Sequence, residues 1–378
     1  MAVRILHCHS TFSLGGKEAR AVRLMNAFGD AAEHVVLSAM PDRLGAREAI
    51  DRGIMVDFPA DTPSLTGAPT PLRLARLARY MRGFDLVLTY NWGAFDAVMA
   101  RRLFAKVLKL PPLVHHEDGF NEDERESLKP RRNLYRRIGL GAAYRLVVPS
   151  ARLERIARTE WGTVPVRIPN GIALADYARP PSQEIPGLEH DPNEVVIGTI
   201  AGLRAVKNLP RLVRCFAAMT HAKARLVIVG EGLESEQIAV AARAAGVAAR
   251  VLMPGFLSHP AQWIGHFDIF ALSSDSEQFP IALVEAMGAG LPAVATAVGD
   301  VRAMVSEDNA PLIVEPEDEA GFSAALDSLA EQPHLRKAIG AANREKAARL
   351  YDEQAMIAAY AELYGAAIGR PGAFAANT

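Results

Sequence analysis

The sequence predicts an α/β protein of two doubly wound domains, each a parallel sheet wrapped by helices. Three observations lead there. The chain has 378 residues, beyond the roughly 100–200 of one ordinary domain. Short apolar runs rich in β-branched residues alternate with helix-length segments along the chain, the signature of parallel strands joined by crossover helices. The alternation also pauses at a proline- and glycine-rich stretch, Ala178–Gly187, and restarts after Asp191.

In the first half the strand candidates are Val3–Cys8, His34–Ala39, Asp85–Thr89, Pro112–His116 and Arg145–Pro149. Helix-length segments between them cover Gly16–Phe28, Pro71–Arg82 and Phe95–Leu108. The second series of strands is Val195–Ile200, Arg225–Val229, Val251–Met253, Ile269–Leu272 and Ala293–Ala295. Residues 317–370 are helical in pattern almost throughout. Their last segment, Glu353–Ile368, sets Met356, Ile357, Tyr360, Leu363, Tyr364 and Ala367 at helical spacing. Such an apolar face must pack on something, and a return to the first domain is expected. The resulting division is a first domain over 1–178 with the helix near 353–370, a linker over 179–191, and a second domain over 192–352. The two Rossmann-like domains are expected to face each other across a cleft.

Composition excludes several classes. With 50% hydrophobic and 22% charged residues the chain is neither disordered nor collagen-like. The formal net charge of −1 gives no bulk electrostatic drive toward nucleic acid. That total is a cancellation. Residues 1–180 hold 27 Lys+Arg against 19 Asp+Glu, a balance of +8, and the remainder carries −9. Cys8 and Cys215 sit in apolar runs and suggest no disulfide framework. No run reaches the ~18 apolar residues of a membrane span, and the amino terminus enters a strand-like run directly. A soluble cytoplasmic protein is expected.

The most informative stretch is Ser273-Ser-Asp-Ser-Glu277-Gln-Phe-Pro-Ile-Ala-Leu-Val-Glu285-Ala-Met-Gly-Ala-Gly290. It holds two glutamates eight positions apart around the start of a helix expected over Ile281–Gly288. The amides near Phe279–Ile281 would be unpaired donors at a helix N-terminus, which attracts anions. In the plainer reading, Glu277 only complements the helix dipole and Glu285 is solvated. Both readings fit the spacing. His7-Cys8-His9 suggests a metal, but a second ligand cluster is missing and strand periodicity explains it. Gly230-Glu-Gly232-Leu-Glu-Ser235 opens a helix as a dinucleotide fingerprint would. It lacks the third glycine and, about 20 residues on, the acidic partner, which weakens a dehydrogenase reading.

The Glu277–Glu285 stretch resembles the E-x7-E motif of the retaining GT-B glycosyltransferases of family 4. Gly15-Gly16-Lys17-Glu18 is similar to that family's first glycine-rich loop, and Ile168-Pro-Asn170-Gly171 to its interdomain turn. Lys207-Asn208, Val227-Ile-Val-Gly230-Glu-Gly232, Val251–Phe256 and Thr296-Ala-Val-Gly299 continue the series in order. The resemblance implies a GT-B fold and sugar transfer from a UDP- or GDP-sugar to a glycan or glycolipid acceptor, without metal or other cofactor. It implies that Lys207 and a nearby arginine clamp the phosphates while Gly15 and Gly16 approach them closely. Gln278, Phe279, Pro280 and Ile281 would surround the donor sugar, Glu277 would hold its hydroxyls, and Glu285 would accept from the ribose. The family's usual arginine position is Gly202 here, and Arg204, two residues later, is expected to substitute. At Leu113–Phe120 a family histidine maps to Asp118, with His116 two residues before, and either is a candidate. An inactive protein of this fold and a sugar-nucleotide epimerase are the alternatives.

The basic first half has its own pattern. Arg73, Arg76, Arg79 and Arg82 recur every third residue, Arg102, Lys106 and Lys109 form a second stripe, and Lys129-Pro-Arg131-Arg132 with Arg136-Arg137 a third. They fit either solvated helix faces or an anionic membrane surface, which would place the protein on the inner face of the plasma membrane. No nucleic-acid partner is expected.

Overall fold

A computed structural model describes residues 2–120, 124, 127–189 and 191–374. The chain divides into two compact units, 1–170 with 355–378, and 171–354.

The first unit contains β1 (Val3–His9), α1 (Gly16–Phe28), β2 (Ala32–Ser38), β3 (Val56–Asp57), α2 (Pro71–Met81), β4 (Leu86–Tyr90), α3 (Phe95–Leu108), β5 (Leu113–His116), α4 (Pro130–Leu140), β6 (Arg145–Val148), α5 (Ala151–Thr159) and β7 (Val166–Arg167). Its strands form one parallel sheet in the order β3-β2-β1-β4-β5-β6-β7. Side chains alternate across a strand, so β1 serves two cores. Val3 and Ile5 pack with Ala21, Leu24 and Phe28 of α1. Leu6 and Cys8 pack on the other face with Leu74 and Leu77 of α2 and Phe95 and Val98 of α3. The α1 face is completed by the last helix, whose Met356, Tyr360 and Tyr364 are buried beside Ile5 and Leu88.

The second unit contains α6 (Leu174–Tyr177), β8 (Val195–Ile200), α7 (Leu209–Ala217), β9 (Ala224–Val229), α8 (Ser235–Ala244), β10 (Val251–Gly255), β11 (Ile269–Leu272), α9 (Ile281–Gly288), β12 (Ala293–Thr296), α10 (Val301–Met304), β13 (Ile313–Val314), α11 (Glu319–Glu331) and α12 (Pro333–Leu350). Its parallel sheet runs β10-β9-β8-β11-β12-β13. The closing helix, α13 (Glu353–Ala367), begins at its end.

The boundary lies elsewhere than the expected linker at 179–191. The chain leaves the first unit after Asn170 and returns after Gln354. Residues 179–189 belong to the second unit, where Ile185 is fully buried and the Ser182 and Gln183 amides donate to Gln262 O. Proline content marks a lack of regular structure, not a lack of packing. The edge strands β3, β7 and β13, of two residues each, are too short to show a period in the sequence.

The third basic cluster is also partly misread. In α4, Arg136 is fully buried among Trp92, Phe120 and Trp161. It donates to both Glu124 oxygens at 3.1 and 3.2 Å and pairs with Glu117 at 3.3 Å. It thereby pins the segment that leaves β5. Removing one partner from a buried cluster strands the others in a dry interior. Arg136→Ala should cost about 3–5 kcal/mol, read as a lower urea midpoint with an unchanged m value.

Candidate functional site

Each sheet reverses its strand order once. In the first unit the chain steps outward from β1 to β3 and then from β4 to β7, and in the second it divides between β8 and β11. Open parallel sheets leave a crevice beyond the carboxyl ends of the strands at such a switch point. Both units place charged side chains there.

In the second unit the segment after β8 carries Arg204 and Lys207, and the segment after β11 carries Glu277. Lys207 Nζ pairs with Glu277 Oε1 at 2.5 Å, and Ser274 Oγ donates to the same oxygen at 2.7 Å. The two segments are laced together below this pair. Asp275 N donates to Val206 O, Asn208 Nδ2 to Asp275 Oδ1, and Ser273 Oγ to Lys207 O. Asn208 adopts the left-handed region and caps α7. Gly230 and Gly232 follow β9 at φ of +141° and +159°, and a Cβ on them would stand 1.8 Å from Ala201 O and 2.2 Å from Leu203 O. They let the β9 loop lie directly on the segment that presents Arg204. Gly299 similarly backs the Glu277 carbonyl, 2.1 Å from where its Cβ would be.

Arg204 is exposed and itself extended, but the chain turns at Leu203, so Gly202–Arg204 is not the continuous extended segment expected. Arg204 N donates to Gly202 O in a three-residue turn. That turn brings Arg204 Nε to 3.7 Å from where a Cβ of residue 202 would stand. Phe279 anchors its loop by meeting Tyr351 edge-on at 5.5 Å, and Pro280 is the N-cap of α9. Since Pro280 has no N–H, the donors at this helix start are the amides of Ile281 and Ala282, with Phe279 just before it. Gln278 Oε1 is buried without a partner among the described residues. Glu285 is not solvated: it is buried on the second turn of α9 and accepts from Tyr177 Oη at 2.9 Å.

In the first unit, α1 starts at Gly16 with Gly15 as an extended N-cap, both exposed. Arg20, buried one turn on, donates to both oxygens of Asp118 and to Asn170 Oδ1 at 3.0 Å. Burial raises the Asp118 pKa and Arg20 more than offsets it, so the carboxyl titrates below its ordinary value. His116 is buried. Its Nδ1 faces Thr89 O at 3.1 Å and must donate, so Nε2 accepts from Tyr364 Oη at 2.8 Å. Both ring nitrogens are thus occupied within the unit. Gly171 lies against the backbone of Asp352, 2.5 Å from its oxygen if it carried a Cβ.

The structure thus gathers Lys207, Glu277, Gln278, Gly230 and Gly232 in one unit, and Gly15, Gly16, Asp118, His116 and Asn170 in the other. Arg20 and Asn91 also belong to these clusters and carry no motif in the sequence; only strand order brings them in. Among the described residues no group of three or more His, Cys, Asp or Glu is arranged to hold a metal ion. Among the described residues no helix is long and apolar enough to cross a membrane.

The chain matches the glycosyl transferases group 1 family over residues 182–346 and glycosyltransferase family 4 over residues 5–176. It is 26% identical over 173 residues to N-acetyl-alpha-D-glucosaminyl L-malate synthase of Bacillus anthracis, covering 46% of this chain and 45% of that protein. It is 26% identical over 369 residues to 2-deoxystreptamine N-acetyl-D-glucosaminyltransferase of Streptomyces fradiae, covering 87% and 86%. The chain spans less than half the length of several curated relatives, 42% and 37% in two further cases. The structure of Anabaena HepE in complex with UDP and glucose superposes with a TM-score of 0.75 at 17% identity, over 96% of this chain and all of that one. WaaG, a glycosyltransferase involved in lipopolysaccharide biosynthesis, gives 0.67 at 17% over 95% and 99%. The fold is GT-B.

The histidines of the first unit make its stability pH-dependent. Burial lowers four of them: His34 to about 4, His116 to about 3, and His7 and His9 well below their ordinary value. Unfolded histidine titrates near 6.5, so below that pH the unfolded chain binds more protons than the folded one. Stability is complete above about pH 6.5 and falls as pH drops toward 4, by about 3 kcal/mol from His34 alone. Urea midpoints at successive pH values should decline from pH 6.5 downward, before the carboxylates titrate. A plateau down to pH 5 would contradict this.

Proposed function

The chain belongs to the glycosyltransferases of group 1 and family 4, and from that premise we propose that it is a metal-independent, retaining sugar transferase. Its donor is a UDP- or GDP-sugar and its acceptor a hydroxyl of a glycan or glycolipid. The observation that carries the reading is the Lys207–Glu277 pair at the switch point of the second unit. Relatives named for lipopolysaccharide core biosynthesis and for a diphospho-undecaprenol acceptor support the substrate class, and a neighbour solved with UDP-glucose supports the donor class.

The pair is matched to such a donor. A pyrophosphate takes Lys207 as its counter-charge and the sugar hydroxyls donate to the Glu277 carboxylate, so binding replaces one charge-assisted contact by two. Arg204 adds the second cation. As the bond between the anomeric carbon and the phosphate oxygen breaks, negative charge grows on the leaving phosphates. Preorganised cations and the start of α9 stabilise that charge more than the ground state. The acceptor oxygen attacks the same face, and its proton passes to the departing phosphate oxygen.

The basic helices of the first unit support a membrane-facing role. Arg73 and Arg132 turn inward, like Arg136. Arg73 is held by Asp96 and the carbonyls of Ser64, Gly67 and Ala68, and Arg132 by Glu124. Arg101 of α3 is likewise half-buried on the carbonyls of Leu110, Pro111 and Ala142. The remaining cations, Arg76, Arg79, Arg102, Lys106, Arg131 and Arg137, stay outside on α2, α3 and α4, neighbouring helices on one side of the sheet. Between them Leu72, Leu103, Val107, Leu134 and Ile138 are exposed. Asp96, the sole acid in these three helices, is taken by Arg73 and Tyr135. A cationic face studded with apolar side chains suits an anionic bilayer on the cytoplasmic side.

Nucleotide release from a panel of UDP- and GDP-sugars tests the reaction. Glu277→Gln and Lys207→Ala should each lower turnover by about 100-fold or more with the circular dichroism unchanged. Arg204→Ala should abolish turnover, and near-normal rates would show that Lys207 acts without it. In flotation, binding should require phosphatidylglycerol in phosphatidylcholine vesicles and weaken with salt; equal recovery with and without the anionic lipid would exclude this face as a docking surface.

A further inference from the structure

At the switch point of the first unit stand two cation–carboxylate pairs with no part in the donor chemistry above. Lys17 pairs with its neighbour Glu18, and Arg20 with Asp118. Lys17, Glu18 and Arg20 share the start of α1, and Arg20 draws Asp118 against that turn. Lys17 and Asp118 keep 14% and 13% of their side-chain surface exposed, whereas Glu18 and Arg20 are sealed at 5% and 3%. The cluster is therefore anchored from below and open on one side. Near it lies His9, fully buried, with neither ring nitrogen partnered among the described residues.

Asn91 holds this cluster in shape. It follows β4 at φ 54° and ψ −174°, a conformation that glycine takes freely and other residues rarely adopt. Its amide donates to His116 O at 2.8 Å and its Oδ1 accepts from Asp118 N at 2.7 Å. The strained backbone is what turns the carboxamide onto Asp118.

We propose that these two pairs form the acceptor subsite and that the acceptor they recognise is an uncharged polyol, with Asn91 as a positioning residue for Asp118. The proposal rests on the glycosyl-transfer reading and names its acceptor class. Two cations and two carboxylates leave no net charge. A neutral ligand with adjacent hydroxyls donates to Asp118 and accepts from Lys17, matching both halves of the pairs. A phosphate or carboxylate on the acceptor finds each cation already neutralised and meets a carboxylate beside it, so its desolvation is not offset.

Transfer is compared among methyl glucoside, glucose 6-phosphate and methyl glucuronide, using whichever UDP- or GDP-sugar supports nucleotide release. The wild type should favour the neutral glycoside over either anion by about tenfold or more in kcat/KM, and Glu18→Gln should move that ratio about tenfold toward the anions. Asn91→Gly should raise KM for the acceptor, leave KM for the donor in place and keep the urea midpoint from falling, which separates positioning from a structural role. Equal or better use of the anions by the wild type, an unchanged ratio in Glu18→Gln, or an unchanged acceptor KM in Asn91→Gly would overturn the proposal. Nucleotide release from no donor at all would instead overturn the glycosyl-transfer reading beneath it.

Discussion

Parallel strands send all their carboxyl ends to one edge of a sheet, and a reversal of strand order opens a gap at that edge. Both sheets of this chain obey the constraint, at β1/β4 and at β8/β11. Segments that leave neighbouring strands in opposite directions must diverge, so their first residues line a recess whose floor is the sheet itself. Lys207 and Glu277 enter one such recess from β8 and β11. Lys17 and Arg20 enter the other behind β1, and Asp118 behind β5.

A recess of this kind is stable only if its backbone is tied down. In the second unit the ties are local and tight: glycines that remove every side chain between stacked loops, and hydrogen bonds from Ser273, Asp275 and Asn208 that cross between segments. In the first unit the ties are buried and polar, Arg20 to Asn170, Asn91 to Asp118, and His116 between Thr89 and Tyr364. Buried polar groups are costly unless satisfied. The first unit therefore carries the acid sensitivity, and the histidines that fill its interior are the groups responsible.

Most of the architecture was legible because periodicity and burial share a cause. The limits of Val195–Ile200, Ile269–Leu272, Gly16–Phe28 and Phe95–Leu108 match the observed elements. Each is a run in which enough apolar side chains reach a core to set the period. The two-residue edge strands could not be read this way, nor could the packing of residues 179–189, where a proline-rich segment lies against a core through Ile185. Charge runs were the least legible feature. Arg131 and Arg132 are adjacent, yet one faces solvent and the other pairs with Glu124.

By itself the sequence determined the fold class and the alternation of elements, and it marked the loops that gather charged side chains, because these depend on neighbours a few positions away. Tertiary structure alone decided the partners. Glu277 meets a lysine 70 residues earlier and Asp118 an arginine 98 residues earlier. It also decided that Arg204 turns back to the place of residue 202, that His116 has no ring nitrogen to spare, and that Glu285 is buried against Tyr177. Strand order sets those distances, and strand order is a property of how sheets close around their cores, which no local pattern encodes.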